Sequence, residues 1–124
     1  MSQDIVADAL NNIMNAKRAG KTEVEIKRHS KLLLSVLAIA KLKDYIESYK
    51  VTENILKVKI GKIRECMAVK PRYIASVPRI EKYILRYLPS KSLGIIIIST
   101  SQGLMTHHTA LERNIGGSLI AYMY

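Results

Sequence analysis

Hydrophobic spacing along the first half of the chain alternates between helical and extended periods. Apolar residues recur at helical spacing in the first segment, and Asp4 and Gly20 are expected to begin and end that helix. Ser30 is expected to cap a second helix, and Thr52–Asn54 separates two extended runs as in a hairpin. The predicted elements are a helix over residues 5–18, a strand over 22–27, a helix after residue 30, and strands over 45–51 and 55–60.

The second half is predicted to consist of extended segments around two short helices. Pro71 interrupts an extended run with a turn or an edge position, and Pro89 is expected to end a helix that begins near Val77. A run of isoleucines is typical of a buried strand, and Thr106 is expected to cap the short helix that follows it. The predicted elements are an extended run over residues 62–69, a helix over 77–88, a strand over 95–98, a loop over 99–103, a helix ending near residue 114, and a strand over 118–124.

Together these elements predict an α+β protein with two small lobes. Residues 1–60 would form an N-terminal α-β-α-β-β domain, and residues 61–124 a mainly β C-terminal domain that binds RNA. Gly61 is the expected boundary, although no flexible linker marks it.

The charge balance is the unusual feature of the composition. Twenty Lys and Arg stand against ten Asp and Glu, a formal net charge of +10, which attracts a polyanion such as nucleic acid or an anionic membrane. Residues 1–60 carry eleven basic and seven acidic groups, and residues 61–124 carry nine and three. Because this charge is spread over strands and turns and not along one amphipathic helix, we expect nucleic acid and no membrane.

Three features bear on the compartment. Met1–Asp4 has neither the basic region nor the apolar core of a signal peptide, and the single Cys66 excludes an intrachain disulfide, so a reducing cytoplasm is expected. Residues 92–111 lack charged side chains over the length of a spanning helix, but their second half is crowded with polar groups. Only Ile95–Ile98 is strongly apolar there, which predicts a buried strand.

Three consecutive hydroxyl residues follow that strand, Ser99, Thr100 and Ser101, with Gln102 and Gly103 behind them. Hydroxyls donate and accept hydrogen bonds, so such a loop can follow base edges and 2′-hydroxyls in the shallow minor groove of RNA. The alternative is a polar turn whose hydroxyls cap the next helix. Hydrolysis by a serine is least favoured, because the loop has no nucleophile elbow and the nearest acidic residue lies at the far end of the next helix.

The histidines are interpreted as surface groups. His107 and His108 are adjacent near a helix start, where they can touch nucleic acid but cannot easily chelate one ion together. His29 and Cys66 complete no metal-site spacing, and Cys66 is expected in the core. We therefore expect no metal and no cofactor.

Two further places offer cations to a polyanion. Lys70, Arg72 and Tyr73 put two charges and a ring on a rigid turn, where a base can stack. Lys31 follows the cap Ser30, so a phosphate can meet the lysine and the exposed N–H groups of the helix start. The simpler alternatives are solvated surfaces and, for the tyrosine, a place in the core of a chain without Phe or Trp.

Several blocks of the sequence occur together at a specific spacing. They are Gly94–His107 (GIIIISTSQGLMTH), Asn114–Gly117, Leu119–Tyr124, Ile13–Ala16, Glu25–Ile26, Ser30–Leu32 and Asp44–Ile46. In these blocks the chain resembles the universal small-subunit ribosomal protein eight family over nearly its whole length. Lys70–Tyr73 and Arg86–Pro89 are more similar to the archaeal and eukaryotic branch than to the bacterial one.

The resemblance implies a non-enzymatic structural protein of the cytoplasmic ribosome. It would bind the central domain of the small-subunit ribosomal RNA during assembly, next to neighbouring small-subunit ribosomal proteins, with its main RNA contacts around the hydroxyl loop. The residues that the resemblance or their side-chain chemistry assigns to RNA are Ser99, Thr100, Ser101, Gln102, Gly103, Thr106, His107, Lys70, Arg72, Tyr73, Gly116, Gly117, Asn15 and Lys31.

Three departures from the family are visible. Gln102 stands where a lysine is common, which removes one phosphate contact, and Ser118 replaces a charged residue often found after the double glycine. The link between Val51 and Ile55 is shorter than in many relatives of the branch. Bacterial relatives also bind a messenger RNA that mimics the ribosomal site, so a translational regulator is the alternative function.

Overall fold

The structure is a computed structural model that describes residues 5–69, 73–90 and 93–124. Helices and antiparallel sheets make the fold α+β, which confirms the predicted class. The chain divides into two units, Met1–Cys66 and Met67–Tyr124. The predicted boundary at Gly61 lies a few residues before this division.

The first unit has the predicted order of elements. They are α1 (Ile5–Arg18), β1 (Glu23–Ile26), α2 (Lys31–Leu42), β2 (Ile46–Thr52) and β3 (Ile55–Ile60). The strands form an antiparallel sheet in the order β1-β3-β2. The large side chains that are fully buried include Leu10 and Ile13 of α1, Leu33 and Leu37 of α2, and Leu56 of β3. Burial of each contributes about 1.5–3 kcal/mol. Both helices contact the sheet and one another, so these elements share one apolar core.

Local signals in the first unit act as predicted. Gly20 follows α1 with φ of +79°, a conformation that ends a helix and that glycine adopts without strain. The Ser30 hydroxyl caps α2 by accepting a hydrogen bond from the Leu33 N–H at 3.2 Å. Glu53 and Asn54 turn the β2–β3 hairpin with positive φ at both positions, as a two-residue turn of the primed type requires. Asp4, the predicted cap of α1, lies outside the described residues.

The second unit is built on a larger antiparallel sheet. Its elements are β4 (Cys66–Ala68), which begins at the division between the units, β5 (Ile74–Ala75), α3 (Val77–Tyr87), β6 (Ile95–Thr100), β7 (Gly103–Thr106), α4 (His107–Glu112) and β8 (Gly117–Met123). The strand order is β4-β8-β6-β7, and β5 also pairs with β8. Ile80 and Ile84 of α3 belong to one buried cluster with Ile96, Ile98 and Leu119 of the sheet.

Two predictions for the chain after Gly61 are wrong. The extended run over residues 62–69 is a strand only at Cys66–Ala68, because the preceding residues form bends. The loop over residues 99–103 is instead a tight hairpin, in which β6 continues through Thr100 and β7 starts at Gly103. The polar side chains at this end of the sheet concealed the strand period. The short helix α4 ends at Glu112, slightly before the predicted end near Asn114, whose φ is +56°.

Cys66 is buried, as predicted, and its thiol donates a hydrogen bond to the Leu10 carbonyl at 3.6 Å. Burial raises the pKa of this thiol to about 12, and the neighbouring Glu65 carboxylate adds to the rise. The side chain is therefore a small protonated core residue.

Candidate nucleic-acid interface

The hairpin formed by β6 and β7 carries Ser101 and Gln102 at its tip, and we call residues 99–104 the hydroxyl hairpin. The Thr100 hydroxyl donates to the Gly103 carbonyl at 2.8 Å and accepts from the Gln102 N–H at 3.0 Å. Gly103 has φ of +107°, which an L side chain rarely adopts. The Thr100 hydroxyl is thus committed to closing the turn, and it does not cap the next helix as the alternative predicted, because the cap of α4 is Thr106.

Ser101 differs from Thr100 in what its hydroxyl can do. Its side chain is exposed and makes no hydrogen bond to the part of the chain that the structure describes. Both its donor and its acceptor capacity remain available to a ligand. Within the tip, Ser101 is therefore the residue suited to recognition, and Thr100 is the residue that shapes the turn.

A row of side chains crosses four strands next to the hairpin. Ser99 of β6 lies directly opposite Ser118 of β8, Ser118 lies opposite Ile74 of β5, and Ser99 lies opposite Leu104 of β7. Directly opposed residues share one face of a sheet, and the neighbouring Ile98 belongs to the core on the other face. Ile74 is 81% exposed, so this end of the row opens to solvent. Two half-buried serines, Ser99 and Ser118, are thereby paired on this face of the sheet, next to the tip that carries Ser101.

The double glycine makes this row possible by permitting close approach of three strands. A Cβ on Gly117 would collide with the Ser99 carbonyl oxygen, and one on Gly116 would collide with the Ala75 carbonyl oxygen. Neither glycine needs a positive φ, so their role is the absence of a side chain and not an unusual turn. Any larger residue would push β8 away from Ser99 or β5.

Arg113 places a positive charge at the hairpin tip. Its guanidinium donates a hydrogen bond to the Gln102 side-chain oxygen at 3.2 Å, and both side chains are exposed. Arg113 is not among the predicted RNA contacts, because it lies just after α4 and no sequence motif links it to the turn. Gln102 stands where many family members have a lysine, but the guanidinium of Arg113 still provides a positive charge at the tip.

The residues at the start of α4 are structural. The Thr106 hydroxyl is buried and caps α4 by accepting from the Thr109 N–H at 3.4 Å. His107 is only 1% exposed, so its interpretation as a surface histidine is wrong, whereas His108 is exposed. The β6–β7 ladder ends at the Ile97–Thr106 pair, and the next N–H of β6, that of Ile96, donates to His107 Nδ1 at 3.0 Å. The imidazole thus continues the ladder by one bond.

Tyr73 lies next to the row of side chains that contains Ser118 and Ser99. Its carbonyl accepts from the Leu119 N–H at 2.8 Å, and its half-buried ring packs against the core cluster. Lys70 and Arg72, the other two predicted RNA contacts of this segment, lie outside the described residues.

The two predicted contacts of the first unit lie on different helices. Asn15 of α1 is exposed and lines a groove with Asn12, Lys21 and Glu25, so cationic and anionic groups both face it. Lys31 is exposed at the first position of α2, where the Ser30 hydroxyl already occupies the Leu33 N–H. Most of the described candidate residues therefore lie in the second unit, around the hydroxyl hairpin.

This arrangement can recognise a ligand through hydroxyls, backbone and one guanidinium. In the described ranges no three His, Cys, Asp or Glu side chains are grouped to hold a metal ion. No helix in those ranges is long and apolar enough to cross a membrane.

Comparison with known families agrees with the sequence blocks quoted above. The family described as Ribosomal protein S8 matches residues 4–124. The chain belongs to this family. Its members are structural proteins of the small ribosomal subunit that bind ribosomal RNA and lie among other ribosomal proteins, and they are not enzymes. The predicted ribosomal, RNA-binding and non-enzymatic character is thus confirmed.

Proposed function

We propose that this ribosomal protein binds the central domain of the small-subunit ribosomal RNA and supports folding of that domain during assembly. The hydroxyl hairpin carries the proposal, because it combines a free hydroxyl at Ser101 with Ser99, which is paired with Ser118 of the neighbouring strand β8. RNA displays its 2′-hydroxyls in a shallow minor groove, where short donor and acceptor side chains on a rigid tip fit. A lysine-rich tip would bind phosphate without selecting such a groove.

Each part of the interface has its own role in this proposal. Ser101, Ser99 and Ser118 contact the groove, and Arg113 binds a phosphate while Gln102 orients its guanidinium. Thr100 and Gly103 form the turn of the hairpin, Thr106 caps α4, and Gly116 and Gly117 allow the neighbouring strands to lie close together. His107 acts through Ile96 and does not touch RNA. Lys70, Arg72 and Tyr73 support the contact with charge and a ring.

Two exposed residues of the first unit, Asn15 and Lys31, form a secondary RNA contact in the same proposal. The blocks Lys70–Tyr73 and Arg86–Pro89 support membership of the archaeal and eukaryotic branch. The single cysteine and the buried, protonated thiol of Cys66 are compatible with the reducing cytoplasm in which we propose that the ribosome operates.

The proposal is tested by hydroxyl-radical footprinting of complete small-subunit ribosomal RNA with the purified protein. We expect protected riboses in the central domain and none that depend on the protein in the other domains. Omitting the protein from reconstitution should stall folding of the same domain. Protections scattered without preference over all domains would contradict the proposal. An RNA that folds like the protected segment, including a messenger RNA, should compete for the same surface.

A further inference from the structure

Helix α3 has a positively charged face whose side chains form no ion pair with the described residues and are not part of the hydroxyl hairpin. Arg79, Lys82 and Arg86 are spaced three and four residues apart, so they share one face of the helix. All three are exposed, and in the described ranges none has an acidic partner at ion-pair distance. Glu81, the acidic residue of the helix, lies on another face by helical geometry. Three like charges repel one another until a polyanion neutralises them.

A row of five half-buried tyrosines lies along the same helix, and we call it the tyrosine row. Successive ring centroids are 5.7, 6.1, 5.0 and 6.5 Å apart, and the planes of neighbours differ by at most 22°. The members are Tyr73 before β5, Tyr83 and Tyr87 on α3, and Tyr122 and Tyr124 at the end of the chain. The rings pack against the core cluster, so the row is a rigid surface.

Arg86 joins the cationic face to the tyrosine row. Its guanidinium carbon lies 5.9 Å from the Tyr73 ring centroid and 5.5 Å from that of Tyr87, and both distances are in the range of cation–π attraction. Two rings hold the guanidinium plane and reduce the rotamer freedom that binding would otherwise remove. The exposed N–H groups remain able to bind phosphate in a bidentate manner.

We propose that the cationic face of α3, with Arg86 held on the tyrosine row, binds a further stretch of ribosomal RNA backbone beyond the stretch at the hydroxyl hairpin. This inference rests on the proposed function. Protein interfaces also use tyrosine and arginine, but they are depleted in lysine and in uncompensated charge. The unpaired Arg79 and Lys82 beside Arg86 therefore favour a polyanion as the occupant.

The test compares two triple variants with equal loss of charge, each lowering the formal net charge from +10 to +7. The first carries Arg79→Gln, Lys82→Gln and Arg86→Gln. The second carries Lys41→Gln, Lys43→Gln and Lys62→Gln, all at exposed positions of the first unit. Affinity for central-domain RNA is measured over a range of potassium chloride concentrations, and bound RNA is footprinted with hydroxyl radicals.

Log affinity falls as log salt rises, and the first variant should make this negative slope shallower by about two to three, at about 0.9 per phosphate contact. It should lose protection of one RNA segment and keep the protections that depend on Ser101. The second variant should change the slope by less than one and lose no segment. Arg86→Lys should keep the slope but bind several-fold more weakly, because an ammonium lacks the planar fork.

Equal changes in the two triple variants, or an unchanged footprint in the first, would overturn the inference. So would an α3 variant that binds RNA normally but fails to enter reconstituted subunits, which would assign this face to a protein neighbour. In each case a wild-type footprint confined to the central domain would leave the proposed function standing. A wild-type protein without such a footprint would instead remove the proposed function itself.

Discussion

The guanidinium of Arg113 and the side-chain oxygen of Gln102 are joined by a hydrogen bond of 3.2 Å at the tip of the hydroxyl hairpin. A glutamine that cannot neutralise phosphate thus orients an arginine that can. The positive charge at this tip comes from the end of α4 and not from the turn itself. The tip therefore combines an uncharged turn with a cation that the turn orients.

Replacing Arg113 by Gln should remove one phosphate contact and weaken binding to all RNAs to a similar extent. The magnitude of the negative salt slope should decrease by about one, because one fewer counterion is released. The matched control is Gln102→Ala, which keeps the charge and loses only its orientation. This control should leave the slope unchanged and weaken binding less. An Arg113→Gln protein with the wild-type slope would refute the phosphate contact.

Replacing Gly117 by Ala should destabilise the second unit, because the new methyl group meets the Ser99 carbonyl. Forced overpacking of this kind costs about 1–3 kcal/mol. Ser118→Ala, the next position on the same strand, should change the free energy of unfolding by much less. Urea denaturation of both variants provides the measurement. Wild-type stability of Gly117→Ala would show that β6 and β8 can separate here without cost.

Replacing His107 by Leu should leave the Ile96 N–H buried without its acceptor. Such a loss costs about 1–3 kcal/mol of folding free energy. His107→Asn supplies a side-chain oxygen near the position of Nδ1 and should recover part of that loss. His108→Leu, at an exposed position, should stay within about 0.5 kcal/mol of the wild type. Equal effects at the two histidines in thermal or urea melts would contradict the buried ladder bond.

The raised pKa of Cys66 makes stability depend on pH in the alkaline range. The folded protein keeps the thiol proton up to about pH 12, whereas the unfolded chain loses it near the ordinary value of 9.0. The native state therefore binds the extra proton between these values, and stability from this residue falls as pH rises through them. The fall is at most about 1.4 kcal/mol per pH unit. Below about pH 9 the residue contributes no pH dependence.

Cys66→Ala provides the comparison for this prediction. The difference in unfolding free energy between the wild type and Cys66→Ala should be constant below about pH 9. At higher pH the wild type should lose stability relative to the variant. Tyr45, whose pKa burial also raises, is present in both proteins and cancels from the difference. A difference that stays constant from neutral pH to pH 11 would show that the thiol titrates normally.

Much of the fold could be predicted because its elements have strong local signals. The apolar stripe of α1, the Ser30 cap and the isoleucines of β6 each indicate one element with a known physical cause. The β7 strand could not be predicted, because Gly103 and Thr106 are typical of turns and caps. Only pairing with β6 makes this segment extended. This pairing is not indicated by the spacing of apolar residues within the segment.

The candidate site shows the same limit. A run of three hydroxyls was visible in the sequence, but only the turn geometry separates the committed Thr100 from the free Ser101. Arg113 and Gln102 meet because α4 reverses the chain, which no spacing rule indicates. A histidine at a helix start is usually solvated, which is why the sequence predicts His107 at the surface. In the structure its ring is buried and accepts a hydrogen bond from the Ile96 N–H of the sheet.

The central claim is that the free hydroxyl at the hairpin tip recognises RNA, and Ser101→Ala tests it most directly. The variant is measured against central-domain RNA and against an unrelated duplex, with a thermal melt and a salt titration, and with Thr100→Ala as the control. We expect Ser101→Ala to keep its melting temperature and salt slope and its affinity for the unrelated duplex. Affinity for the central-domain RNA should fall about fivefold or more, for the loss of about 1 kcal/mol per hydrogen bond. Thr100→Ala should lower the melting temperature because it opens the turn. Equal affinities of Ser101→Ala and the wild type for the central-domain RNA, or equal losses on both RNAs, would contradict the account.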